Sequence, residues 1–132
     1  MKPDASEESP QLDIGPGRVA KALGYSIDGI LAAWRTEAAF RQEALIAIVL
    51  VPVACLLPVP ILHRALLAGG VLMVLMIELL NSSIEAAIDR ISLDRHPLSK
   101  KSKDAGSAAV LFAVTIATLL WGAVLAAWLA GA

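Results

Sequence analysis

Three apolar stretches dominate the chain: Ala44–Leu62, Ala65–Ile77 and Ala105–Ala132 contain no Asp, Glu, Lys or Arg. A helix needs about 20 apolar residues to cross the bilayer hydrocarbon, and the two shorter runs reach that length by extending about a turn into their flanks. The pattern predicts spans over about 36–57, 63–90 and 104–130. Pro52 is expected to kink the first span, and Pro58 and Pro60 to end it. Asp104 is a plausible N-cap for the third. In that span Ala105, Ala109, Ala113 and Ala117 repeat at i+4, as do Ala123, Ala127 and Gly131, a spacing that lets helices approach closely in lipid.

Ahead of the spans, Val19, Leu23, Ile27, Ile30 and Trp34 fall within about 80° on a helical wheel, with Lys21, Tyr25 and Asp28 on the other side. This predicts an amphipathic surface helix over about 18–34, with Trp34 at interfacial depth. Residues 1–17 are acidic and rich in Pro and Gly, without a basic start or an apolar core. They read as a disordered tail rather than a cleavable signal.

The second span breaks its own pattern. After the uncharged run to Ile77 comes Glu78, and Glu78, Asn81, Glu85 and Asp89 fall within a sector of roughly 80°. A carboxylate inside a membrane segment costs several kcal/mol unless it is paired, wetted or protonated, so its default reading is functional. The stripe faces protein, water or a bound cation rather than lipid. Glu78 sits about two turns, roughly 10 Å, deeper than Glu85.

Composition agrees with a membrane protein. Of the 132 residues, 58% are hydrophobic and only 17% charged, less charge than a soluble domain of this size carries. The net charge of −1 matters less than its distribution. Lys2, Arg18, Lys21, Arg35 and Arg41 precede the first span, and Arg90, Arg95, Lys100, Lys101 and Lys103 lie between the second and third. Only Arg64 lies in the remaining loop, so the positive-inside rule places the N-terminus and the 90–103 loop in the cytoplasm and the C-terminus outside. The lone Cys55 excludes a disulfide within the chain and reads as packing filler.

No P-loop, dinucleotide fingerprint, HExxH or CxxC pattern is present. What the membrane edge offers instead is carboxylates (Glu37, Glu85, Asp89, Asp94, Asp104) beside many cations. Carboxylates with open coordination suit Mg²⁺, which completes its shell with water and substrate phosphates, and the cations suit those phosphates. Glu37 and Arg41 are spaced as a small helix pair. Glu78, with Asn81 at i+3 within reach to hydrogen-bond it, fits a base that takes a proton from an alcohol. On the residues alone, a proton relay, a helix-assembly contact or an ion pathway in an oligomer explains Glu78 about as well.

Several strings are more specific. Gly24-Tyr25-Ser26, Ala32-Ala33-Trp34-Arg35-Thr36-Glu37-Ala38-Ala39-Phe40-Arg41-Gln42-Glu43, Glu78-Leu79-Leu80-Asn81-Ser82-Ser83-Ile84-Glu85-Ala86-Ala87-Ile88-Asp89-Arg90 and Lys103-Asp104-Ala105-Gly106-Ser107-Ala108-Ala109-Val110-Leu111 occur in this order. Together they resemble the prokaryotic integral-membrane diacylglycerol kinase family, Gram-negative branch, from about Arg18 to the C-terminus. The related Gram-positive branch prefers undecaprenol.

The resemblance implies an all-α membrane protein of the bacterial inner membrane: a homotrimer whose chains each have three transmembrane helices and an amphipathic surface helix, with active sites shared between subunits. It implies transfer of the γ-phosphoryl of Mg-ATP to diacylglycerol, giving phosphatidic acid. Glu78 matches the general base and Asn81 its neighbour, while Glu37 and Glu85 match the carboxylates that hold Mg²⁺ with ATP. Arg18, Tyr25, Asp94, Arg95, His96, Lys103 and Asp104 align with nucleotide-contacting positions. The lipid-substrate surface aligns with Arg18, Ala22, Leu23, Gly24, Tyr25, Ser26, Ile27, Leu31, Ala32, Ala33 and Trp34, and with Ala39, Phe40, Arg41, Gln42 and Glu43. It continues through Leu56, Arg64, Glu78, Ser107, Trp121, Gly122, Ala123, Val124, Leu125 and Ala126. Ile27, Asp28 and Leu31 stand where members often carry tryptophan, lysine and arginine.

Overall fold

The computed structural model describes residues 16–131, all of whose regular structure is helical: α1 Pro16–Thr36, α2 Ala38–Leu56, α3 Ile61–Ile91 and α4 Pro97–Leu129. The expected acidic tail lies outside the described residues except for Pro16 and Gly17, which open α1. Proline is tolerated there because the first turn leaves its N–H unused. The chain divides into two compact units at Ala32/Ala33. In the first, Val19, Leu23, Ile27 and Ile30 are exposed, and the Ser26 hydroxyl donates back to the Ala22 carbonyl at 3.0 Å.

In the second unit, α2 packs on α3 and α3 on α4, while α2 and α4 do not pack on one another. Ala54 near the end of α2, Leu67 near the start of α3 and Val124 near the end of α4 share one apolar cluster, with Val59 of the connecting turn. The three helices therefore run up, down and up, as short connections favour. All three are long and apolar enough to cross a membrane. At 1.5 Å per residue the 31-residue α3 and 33-residue α4 reach about 46 and 50 Å, longer than the roughly 30 Å of hydrocarbon by about 11 and about 13 residues.

Three expectations change. The last helix starts at Pro97 instead of Asp104: Pro97 supplies a first-turn residue, and His96 Nδ1 accepts from the Leu98 N–H at 3.2 Å as its cap. Asp104 lies inside the helix, paired with Lys100 one turn earlier. Glu37 is the extended N-cap of α2, and Arg41 does not pair with it. The Arg41 guanidinium donates instead to the Trp34 and Arg35 carbonyls at 3.1 and 3.3 Å, satisfying the end of α1. The alanine ladder is half right, because Ala113 and Ala117 are buried whereas Ala105, Ala109 and Ala123 are exposed. The close-packing face of α4 runs instead through Gly106, Ala113, Ala117 and Val124.

That face meets one stripe of α3. Leu67, Gly70, Val71, Val74 and Glu78 are its buried residues, and they fall within about 100° of rotation. At Gly70 a Cβ would stand 3.2 Å from Leu120 Cδ1 and 3.5 Å from Ala117 Cα, so glycine there lets two backbones approach. The stripe turns polar at Glu78 without changing direction.

Candidate functional site

Where the α3 stripe turns polar, a cavity of ≈ 300 Å³ is lined by Glu37, Ala39 and Glu43 from the α2 end, Glu78, Asn81, Ser82 and Glu85 from α3, and Ser107 and Val110 from α4. Four acidic side chains thus converge from positions up to 48 residues apart. Glu37 reaches it because the chain turns at the N-cap of α2. The α3 residues reach it because i, i+3 and i+4 positions stack on one helix face. Glu78 is 5% exposed, the only buried charged side chain among the described residues.

The hydrogen bonding differs from expectation in one respect. Asn81 Nδ2 donates to Glu85 Oε1 at 3.2 Å rather than to Glu78. Asn81 Oδ1 is buried without a partner, as is Glu43 Oε2. Among the described residues no group of three or more Asp, Glu, His or Cys side chains makes a closed metal cage. Two carboxylates on one cavity with open positions, Glu37 and Glu85, fit an Mg²⁺ that keeps water and phosphate ligands.

A second cavity of ≈ 600 Å³ opens at the α3–α4 connection. Its lining includes Asp94, Arg95, His96, Lys103 and Asp104, five of the expected nucleotide positions, together with Asp89 and Lys100. Lys103 Nζ donates to Asp89 Oδ1 at 2.6 Å, tying the start of α4 to the end of α3. On the sequence, Arg90 and Arg95 are the nearby cations for Asp89 of the polar stripe; the structure pairs it with Lys103 of α4 instead.

A third cavity, an apolar groove of ≈ 460 Å³, runs between α2 and α4 with Val71 and Val74 of α3 as its floor. Ile46 and Leu50 form one wall, Val114, Ala117, Thr118, Trp121 and Gly122 the other. Glu43 lines both the groove and the acidic cavity.

Other expected lipid positions lie elsewhere. Leu56 is exposed at the far end of α2, and Arg64 is about 21 Å of helix rise from Glu78. The Arg64 guanidinium donates to the Val59 carbonyl at 2.9 Å and the Cys55 carbonyl at 3.2 Å, clasping the α2–α3 turn. Val124 is in the apolar cluster at that end, with Trp121 packed against it. Phe40 and Ala33 are buried, whereas Trp34, Gln42, Gly122, Ala123 and Ala126 are exposed and Leu125 is half-buried. Arg18, Ala22, Leu23, Gly24, Tyr25, Ser26, Ile27, Leu31 and Ala32 belong to the first unit, where Gly24 is half-buried and the rest are exposed.

Comparison with known proteins gives the chemical context. The family described as prokaryotic diacylglycerol kinase matches residues 24–125. A protein of Pseudomonas aeruginosa named diacylglycerol kinase is 54% identical over 111 residues, 84% of this chain and 90% of that protein. One of the same name from Escherichia coli K12 is 49% identical over 104 residues, 79% of this chain and 85% of its own. A Helicobacter pylori protein, again so named, is 42% identical over 115 residues, covering 87% and 90%.

Proposed function

The chain belongs to the prokaryotic diacylglycerol kinase family, and from that premise we propose that it transfers the γ-phosphoryl group of Mg-ATP to 1,2-diacyl-sn-glycerol, giving phosphatidic acid and ADP. The observation that carries this reading is the meeting of Glu37, Glu78, Asn81 and Glu85 on one cavity that shares Glu43 with an apolar groove. A lipid alcohol needs such a junction, with its chains in apolar surroundings and its hydroxyl among polar groups.

In this reading the lipid oxygen attacks the γ-phosphorus, the bond to the β–γ bridging oxygen breaks, and ADP departs. The hydroxyl proton passes to the Glu78 carboxylate, a general base worth about 10²–10⁴-fold in rate. Asn81 holds Glu85 in place through the Nδ2 bond. Glu37 and Glu85 would hold Mg²⁺, which supplies charge neutralisation between the phosphates when bound. Lys103, oriented by Asp89, and Arg95, His96 and Asp94 form the nucleotide end. Phosphoryl transfer asks the protein chiefly for positioning and charge stabilisation, which a chain of 132 residues can supply.

The membrane frame follows the charge distribution. Arg90–Lys103 and the segment before α2 lie on the cytoplasmic side of the inner membrane, where ATP is, and the Pro58–Arg64 turn lies opposite. The exposed apolar stripe Val19, Leu23, Ile27 and Ile30 supports α1 as the amphipathic helix that lies in the interface. Residues 18–132 form the lipid kinase domain, and three copies assemble with shared sites, as the family resemblance implies.

Purified protein incubated with labelled ATP, Mg²⁺ and either diacylglycerol or undecaprenol tests the reading. Label is expected in phosphatidic acid. Label in undecaprenyl phosphate alone would reassign the substrate, and no label in either lipid would refute a kinase.

A further inference from the structure

Gly70 and Gly106 both sit where α3 meets α4, yet they make room for different things. At Gly70 a side chain would meet the backbone and side chains of α4. At Gly106 a Cβ would stand 2.2 Å from Asn81 Oδ1 and 3.3 Å from Asn81 Cγ, but 3.9 Å from Asn81 Cα. The helix backbones therefore leave space for a methyl group at residue 106, and only the tip of one amide occupies it. That tip is the buried, unpartnered Oδ1.

The other half of the same amide reaches Glu85 Oε1. Its orientation is fixed by charge: turned over, Oδ1 would face the carboxylate acceptor to acceptor. The amide is thus held between a glycine on α4 and a carboxylate one turn along α3. We infer that Gly106 is a positioning residue of the transfer site: the space left by its missing side chain seats Asn81 in the rotamer that directs Nδ2 onto Glu85. This rests on the kinase reading above.

A methyl at residue 106 displaces the far end of a flexible side chain rather than a helix, so Gly106→Ala keeps the fold and swings Asn81 off Glu85. Loss of such an orienting partner typically costs about 10–100-fold in activity. The decisive test is a double-mutant cycle of Gly106→Ala with Asn81→Ala, read twice. The first readout is kcat and KM with Mg-ATP and diacylglycerol. The second is the thermal unfolding midpoint in detergent without nucleotide or metal.

Gly106→Ala is expected to lower kcat about 10–100-fold, with a smaller change in KM for the lipid. In the Asn81→Ala background the same substitution adds no further loss of kcat and no further fall in midpoint, because the group it displaces is gone. Wild-type kcat in Gly106→Ala, or losses that multiply in the double variant, would overturn the inference. A wild-type protein that phosphorylates neither lipid would sink the kinase reading instead, and the unfolding cycle would still decide whether Gly106 seats Asn81.

Discussion

Replacing Glu78 by Gln separates the chemistry of the site from its architecture. The side chain is 5% exposed on the face that packs α3 against its neighbours. Glutamine matches glutamate in volume and hydrogen-bonding reach, so the cavity walls have no reason to move. What disappears is the proton acceptor. General-base loss predicts kcat lower by about 10²–10⁴-fold, a barrier increase of about 2.7–5.4 kcal/mol at 1.36 kcal/mol per decade. The opposite sign is expected for stability. Glu78 shares its cavity with Glu37, Glu43 and Glu85, so neutralising it removes a desolvated charge and its repulsion from three others. Single stabilising substitutions commonly contribute about 0.5–2 kcal/mol, which sets the scale expected here. The assay is steady-state transfer of labelled phosphate to diacylglycerol, paired with thermal unfolding of the same preparation. A variant that melts higher but turns over like wild type would refute the base assignment. One that melts lower and turns over slowly would show that Glu78 is a packing or assembly contact.

Glu37→Gln and Glu85→Gln are each expected to raise the Mg²⁺ concentration for half-maximal rate by about 10-fold or more, and an unchanged magnesium dependence contradicts their role. Asp89→Asn frees the Lys103 ammonium and is expected to raise KM for ATP several-fold with a smaller effect on kcat. The two side chains are 37% and 46% exposed, enough for solvent to screen the pair, so its stability effect stays below about 1 kcal/mol; a large drop in unfolding midpoint would mean the bridge is structural. Arg64→Met removes two charge-assisted bonds to the α2–α3 turn, each worth about 1.5–3 kcal/mol. It should lower the unfolding midpoint markedly, and a change confined to KM for the lipid would return Arg64 to the substrate surface.

The helices were legible because long uncharged runs leave few alternatives. Hydropathy, however, marks where the membrane begins, not where a helix begins. The polar segment Leu98–Asp104 looks like loop, yet Pro97 and the His96 cap start α4 there, about seven residues before the expected span. Periodicity put Glu78, Asn81 and Glu85 on one face but could not say which neighbour Asn81 serves, since i−3 and i+4 are both within reach on a helix. The packing of α4 decides it, through Gly106. Small-residue spacing suggested an alanine ladder, whereas the register between helices selected Gly106 and Ala113 and left Ala105 and Ala109 outside. Arg41 turns away from Glu37 for a related reason: the break between α1 and α2 exposes carbonyls that a continuous helix would have satisfied. No periodicity argument foresaw the Asp89–Lys103 bridge, because it joins two helices across a connection whose geometry no local pattern sets.

That α2 and α4 meet only through α3 has a consequence for how the chain assembles. Each packing contact joins neighbours in sequence, so the spans can dock in the order in which they are made, without threading or long-range search. The α2–α3 hairpin, pinned at its turn by Arg64, already brings Glu37 and Glu43 to Glu78. The site remains unfinished until the last helix arrives with Gly106, Ser107 and Lys103. A nascent chain truncated before α4 would then carry the acidic side chains in the membrane without the α4 residues that complete the cavity lining.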